Sequence, residues 1–175
     1  MSRLIKINVL LIFLFLSSAS FAITDQSNPI KAPPESARVM VTEAWDLMFP
    51  NVGVSPDFKR AFELNERAYQ LGHFEGASNI GLIYEQGLGV PQDIEAAIKW
   101  YLIAQSSRYH SPQAEIGLAR ITLQKSNSQA SLNSVAYYIQ AARKVATDPT
   151  SLWFDEREGF LKQIELLQQQ YDVLK

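Results

Sequence analysis

The chain contains no cysteine among its 175 residues, which excludes disulfide staples, thiolate catalysis, cysteine metal ligands and a lipid on an amino-terminal cysteine. Core packing must hold it together. Histidine is almost as scarce, with His73 and His110 the two present. Neither belongs to a metal-spaced pair or a serine elbow, and both fall in predicted turns, where surface positions are expected. No catalytic residue, cofactor or metal ligand is therefore assigned. An excess of positive charge is also missing: 16 basic residues stand against 18 acidic ones. Together with the lack of a basic and aromatic constellation, this argues against nucleic acid as a partner. Long apolar runs are confined to one, Val9 to Leu16, which is too short to span a bilayer. Arg3 and Lys6 precede it and Ser17-Ser18-Ala19-Ser20-Phe21-Ala22 follows, so residues 1–22 read as a signal peptide cleaved after Ala22. The expected compartment is the periplasm, with secretion onward left open, and no stable membrane insertion is expected after cleavage.

Period-two alternation is absent as well, so the fold class is all-α. Residues 23–36 include Pro29, Pro33 and Pro34 and little apolar content, the composition of a flexible linker. From Ala37 onward apolar residues recur at helical spacing, first as Met40, Val41, Ala44, Trp45 and Met48, which predicts one buried stripe. Short connections between the helical runs imply antiparallel neighbours.

The sequence also repeats itself. Gly53 to Ala68 aligns with Gly89 to Ala104 at an offset of about 36 residues, pairing Gly53 with Gly89, Asp57 with Asp93, Ala61 with Ala97 and Ala68 with Ala104. Asn79 to Leu82 matches Glu115 to Leu118 in the same way, and Trp100-Tyr101 finds a counterpart in Tyr137-Tyr138. The period predicts three helical hairpins, at about 37–72, 73–108 and 109–147, followed by a carboxy-terminal capping helix within 148–175. In that last segment Phe160, Ile164, Leu167, Tyr171 and Leu174 form a narrow apolar seam. It serves either to cover the third hairpin or to pair with a second copy, so a monomer and a dimer both remain open.

Gly87-Leu88-Gly89 has the look of a phosphate loop, yet Asp93 stands where the following helix needs its N-cap and no lysine follows closely. The loop is read as a turn between two helices, with Asp57 repeating the cap. Gly81, Gly117, Ala97, Ala104 and Ala141 are read as small residues where helices approach closely. Tyr84, Trp100, Tyr101, Tyr137 and Tyr138 are read as core aromatics.

The window from Gly72 to Gln105, with Gly76, Ile80, Gly81, Tyr84, Gly87, Gly89, Val90, Asp93, Ala97, Trp100, Tyr101 and Ala104 in their places, resembles a Sel1-like repeat, a relative of the tetratricopeptide repeat. The outer two hairpins depart from the pattern, as capping repeats do: Trp45 replaces a helix-contact glycine, and Gln124 to Ala130 replaces the glycine-rich turn. The resemblance implies an α-solenoid of about three repeats that acts as a non-catalytic scaffold for a protein or peptide partner. It also implies two alternatives, an immunity protein that inhibits a toxin and an enzyme or binder of β-lactams. The second sits poorly with the lack of cysteine. If the first helix of each hairpin lines the concave side, Asn79, Ile83 and Gln86, Glu115, and Glu43 with Leu47 are the expected partner-binding positions.

Overall fold

The computed structural model describes residues 33–107, 110–150 and 156–175. The expected signal peptide, 1–22, and most of the expected linker, 23–36, lie outside the described residues. Within them the chain forms helices α1 (Glu35–Met48), α2 (Phe58–Gln70), α3 (Glu75–Gln86), α4 (Ile94–Gln105), α5 (Gln113–Gln124), α6 (Gln129–Thr147) and α7 (Arg157–Leu174). The first six pack as successive hairpins, α1 on α2, α3 on α4 and α5 on α6, and α7 lies against α5 and α6. The architecture is an all-α solenoid of three hairpins with a capping helix.

Each boundary has a local cause. Asp57 and Asp93 cap α2 and α4, their carboxylates accepting from the backbone N–H of Arg60 at 3.0 Å and of Ala96 at 2.9 Å. Gly87 ends α3 at φ 68° and Gly89 follows at φ 70°, a left-handed conformation that a side chain resists. The turn reading of this loop is thus what the backbone shows. In the third hairpin the missing aspartate is replaced by Ser128, which caps α6 in a reciprocal box with Ser131.

Small residues set how closely the layers approach. A Cβ on Gly81 would lie 2.7 Å from the Tyr101 ring, and one on Gly117 would fall inside that ring's contact distance from the other side. Tyr101 is fully buried between α3 and α5 for this reason. Ala77, Ala97, Ala104, Ala114, Leu118 and Ile121 complete that layer. Below it, Ala44, Met48, Ala61 and Ile83 join the first hairpin to the second. Above it, Ile116, Val135, Ile139 and Ala142 meet Ile164, Leu167 and Tyr171. The α7 seam therefore covers the third hairpin, while Leu174 is exposed.

Three expectations need correction. Trp45 does not join the α1 stripe: it is 43% exposed and lies against Phe49, with ring centroids 4.7 Å apart and the planes tilted by 54°. Tyr137 is 64% exposed, because α6 turns only its Val135, Ile139 and Ala142 side toward α5. The histidines are not surface residues. His73 is buried and His110 is largely so, since the turns that carry them are tucked between helix ends.

Candidate functional site

The first helices of the hairpins, α1, α3 and α5, run side by side with α7, and among the described residues they enclose a cavity of about 590 Å³. One wall is α1, through Arg38, Val41, Thr42 and Trp45, and the opposite wall is α7, through Gly159, Phe160 and Gln163. The floor comes from the starts of α3 and α5, where His73, Glu75, Asn79 and Gln113 converge. Its volume lies within the range usual for ligand pockets. It approximates one turn of an α-helix with its side chains. A loop, a chain end or a few side chains of a partner can sit in it, whereas a helix of several turns cannot be swallowed whole.

Of the positions expected to bind a partner, Asn79 lines this cavity. Ile83 does not: it is fully buried among Ala44, Met48 and Ala61. The reason is the central place of α3, which packs against α1, α2, α4 and α5. Every residue from Gly76 to Ile83 is buried, so no free stripe remains beyond the first turn. Glu115 is also buried, and accepts from Gln105 and His110 at the turn before α5. Glu43 is held by Arg60 across α1 and α2 at 2.6 Å, Leu47 packs on the Met48 layer, and Gln86 is exposed at the end of α3. Of the positions expected on helical register, Asn79 thus lies on the cavity, Ile83 and Glu115 are enclosed by their neighbours, and the cavity opens nearer the starts of α3 and α5.

The floor is polar and its hydrogen bonding is incomplete. Asn65, on α2, donates its Nδ2 to the Ala61 carbonyl at 2.9 Å and so presents Oδ1 to Asn79. Asn79 answers with its Nδ2 at 3.0 Å, which leaves its own Oδ1 buried without a donor among the described residues. One turn earlier on the same face, the Glu75 carboxyl is pushed up to about 8 by burial, with the charge of Glu156 adding to the effect. His73 beside it is held below the usual imidazole value, first by burial and then by the charge of Arg38. A cleft with perturbed carboxyl and imidazole groups is where function is looked for first.

Two other polar clusters lie away from the cavity: the first has both its carboxylate oxygens engaged, and in the second Glu115 Oε2 has no partner among the described residues. Inside the stack, Glu85 accepts from the Tyr101 hydroxyl at 2.6 Å and from Arg120 at 2.5 and 2.7 Å. Burial and the charge of Glu85 push the Tyr101 phenol well above its usual range. At the turn before α5, His110 places Nδ1 2.5 Å from the Ser107 carbonyl and Nε2 2.6 Å from Glu115 Oε1. Only an imidazolium donates at both nitrogens. Burial works against that charge, but the hydrogen bond and charge of Glu115 outweigh it and raise the pKa. Neither cluster lines the cavity.

Among the described residues no group of three or more His, Asp or Glu side chains could hold a metal ion, and no helix is long and apolar enough to cross a membrane. The Glu85 and His110 clusters were not foreseen from the sequence, because their members are about 35 and 5 residues apart with no recognisable spacing. Trp45 gave a signal: it is the bulky residue standing where the repeat pattern has glycine.

A search of curated proteins found no match. The model of the Sel1 repeat matches residues 49–73 and 75–104, the first from the end of α1 through α2, the second α3 with α4. With the third hairpin built on the same plan, the chain is a Sel1-like repeat protein.

Proposed function

We propose that this protein is a non-catalytic interaction module that seats a segment of a partner protein in the cavity between α1 and α7. Sel1 repeats generally mediate contacts between proteins, which supplies the class of partner. The observation that carries the reading is the cavity itself, with an exposed Trp45 at its lip, Phe160 opposite and an under-bonded polar floor. Large aromatic side chains beside a few placed polar groups are what dominates binding energy at protein interfaces.

A photo-crosslinking residue in place of Trp45 or Gly159 tests this directly. Gly159 is suited to it because a side chain there meets nothing within 4 Å. Both positions should give covalent adducts with the same partner in the native cell, while the same probe at Leu102, exposed on α4, should give none. Adducts at Leu102 and none at the cavity would reject the reading. The periplasm is the setting proposed for the encounter, on the strength of the leader-like residues 1–22. Amino-terminal sequencing of the protein recovered from the envelope should then begin near Ile23, and an intact Met1 would reject export.

A further inference from the structure

Resting on the reading just given, the chemistry of the cavity floor narrows what the partner presents. Five charged or titratable groups face the space: Glu35 and Arg38 on α1, His73 and Glu75 at the start of α3, and Glu156 ahead of α7. Arg38 is engaged by Glu35, with Nη2 2.5 Å from Oε1. His73, held low by burial and by Arg38, is neutral near pH 7 and adds no positive charge. The Glu75 carboxyl has no hydrogen bond or ion pair among the described residues, and Glu156 places a negative charge in its surroundings.

Asn79 is the independent observation. It is 1% exposed, it lines the cavity, and the order of donation along Ala61, Asn65 and Asn79 requires that its Oδ1 be the atom left over. A buried acceptor without a donor costs about 1–3 kcal/mol. The floor therefore offers acceptors in excess of donors, with carboxylates behind them. A ligand that brings several N–H groups and a positive charge satisfies both deficits at once.

We propose that the cavity floor is the seat of a cationic side chain of the partner, an arginine in preference to a lysine, which bonds Asn79 Oδ1 and the Glu75 carboxylate and rests its stem against Trp45. The preference follows from shape. A guanidinium carries five N–H donors in a flat fork that matches a carboxylate and stacks on an indole face, whereas an ammonium is a compact and strongly hydrated point charge. Trp45 has the exposed ring needed for that stacking.

Seating the cation also has a proton signature. Near neutral pH the unliganded Glu75 carboxyl retains its proton, its titration lying at about 8. An opposite charge alongside favours the ionised form, so binding expels that proton to solvent. Affinity then rises with pH from about 6 to about 8 and levels off above.

The test uses the full chain and four blocked pentapeptides that are identical except for a central arginine, lysine, citrulline or glutamate. Calorimetry in two buffers of different ionisation enthalpy gives affinity and protons released together. The arginine peptide should bind best, and citrulline, with nearly the same shape and no charge, about tenfold or more weaker at pH 8. Close to one proton should be released per arginine bound near pH 7. Glu75→Gln should abolish the release and bring arginine and citrulline to within about twofold, and Glu156→Gln, an exposed position, should lower arginine affinity about two- to fivefold with the fold unchanged. Equal affinity for arginine and citrulline, or tightest binding of the glutamate peptide, would overturn the inference while leaving the cavity as a docking site. No binding of the arginine peptide, with adducts still forming at Trp45, would overturn it in the same way. Loss of both would reject the docking site as well.

Discussion

The two ends of α3 carry the same side chain in opposite circumstances. At the carboxy-terminal end Glu85 is almost wholly buried, and both its oxygens are engaged by Tyr101 and Arg120. At the amino-terminal end the half-buried Glu75 lacks any such partner among the described residues, its carboxyl is pushed up to about 8, and Asn79 one turn away has an idle acceptor. A folded chain rarely leaves buried polar groups unsatisfied without a use for them. The complete cluster fixes the stack, because Arg120 on α5 and Tyr101 on α4 can both reach Glu85 only when the second and third hairpins are in register. The incomplete one faces a cavity and is what a partner would complete.

Removing the carboxylate from the complete cluster is the harshest test of that contrast. Glu85→Ala leaves a mostly buried guanidinium and the Tyr101 hydroxyl without their acceptor, and should lower unfolding free energy by about 3–5 kcal/mol in urea titrations. A loss below about 1 kcal/mol would mean that the cluster is incidental to the stacking of the hairpins.

Next in size is His110, which sits between the two extremes: both its ring nitrogens are engaged, but only while the ring is charged, and Glu115 Oε2 beside it has no partner among the described residues. His110→Ala should cost about 1.5–3 kcal/mol in mildly acidic solution, the range for hydrogen bonds to charged groups. The raised pKa fixes the direction of the pH dependence. This contribution is fully present below the ordinary imidazole value of 6.5 and is lost as pH rises through the higher folded value. The gap between wild type and variant should therefore narrow in alkaline solution. A gap that stays constant from about pH 5 to about pH 9 would show that folding leaves the imidazole pKa unshifted and that Glu115 does not favour the charged ring.

Much of the fold was legible because its determinants recur. Gly53 and Gly89, Asp57 and Asp93, and Ala61 and Ala97 repeat at one period, so each pair supports the reading of the other. The close approach at Gly81 and Gly117 was legible for the same reason, though not the aromatic ring that fills it from both sides. The site was not legible, because its residues do not recur. Glu75 acquires its environment from α7, which arrives some 80 residues later in the chain, and the leftover Asn79 oxygen depends on which way Asn65 donates. Periodicity placed Ile83 and Glu115 on an outward stripe, but a central helix surrounded by four others has no outward stripe. Of the expected positions, Asn79 is the one that lines the cavity.

The same comparison predicts a gain. Because the Glu75 carboxyl titrates at about 8 in the folded chain against 4.5 for the free side chain, the folded state binds the extra proton between those values. Its contribution to stability is full below 4.5 and is lost as pH climbs to about 8, above which the wild type carries an unpaired, partly buried carboxylate. Glu75→Gln removes that liability. It should stabilise the protein by about 1–3 kcal/mol near pH 9, less than the full shift implies because the side chain is partly solvated, and by nothing near pH 4.5. Stabilisation that does not depend on pH, or destabilisation at pH 9, would show that Glu75 has a partner in the folded chain and belongs with Glu85 after all.

The smallest effect belongs to a carboxylate in a third circumstance, exposed at a helix start. Asp93 accepts the Ala96 N–H at 2.9 Å, and water can replace much of what it supplies. Asp93→Ala should cost about 0.5–2 kcal/mol, less than Glu85→Ala even though both changes delete one carboxylate. The difference is desolvation: truncation at Glu85 strands buried donors, whereas truncation at Asp93 returns one amide to solvent. Asp57→Ala removes the equivalent bond to Arg60, at 3.0 Å, and should match Asp93→Ala to within about 0.5 kcal/mol, since the sites are well separated and independent. Peptide affinity in both variants should equal that of the wild type, because neither aspartate lines the cavity. Should Asp93→Ala instead leave stability untouched and abolish binding, the glycine turn before α4 would be the site, and the contrast between the two ends of α3 would be one of structure alone.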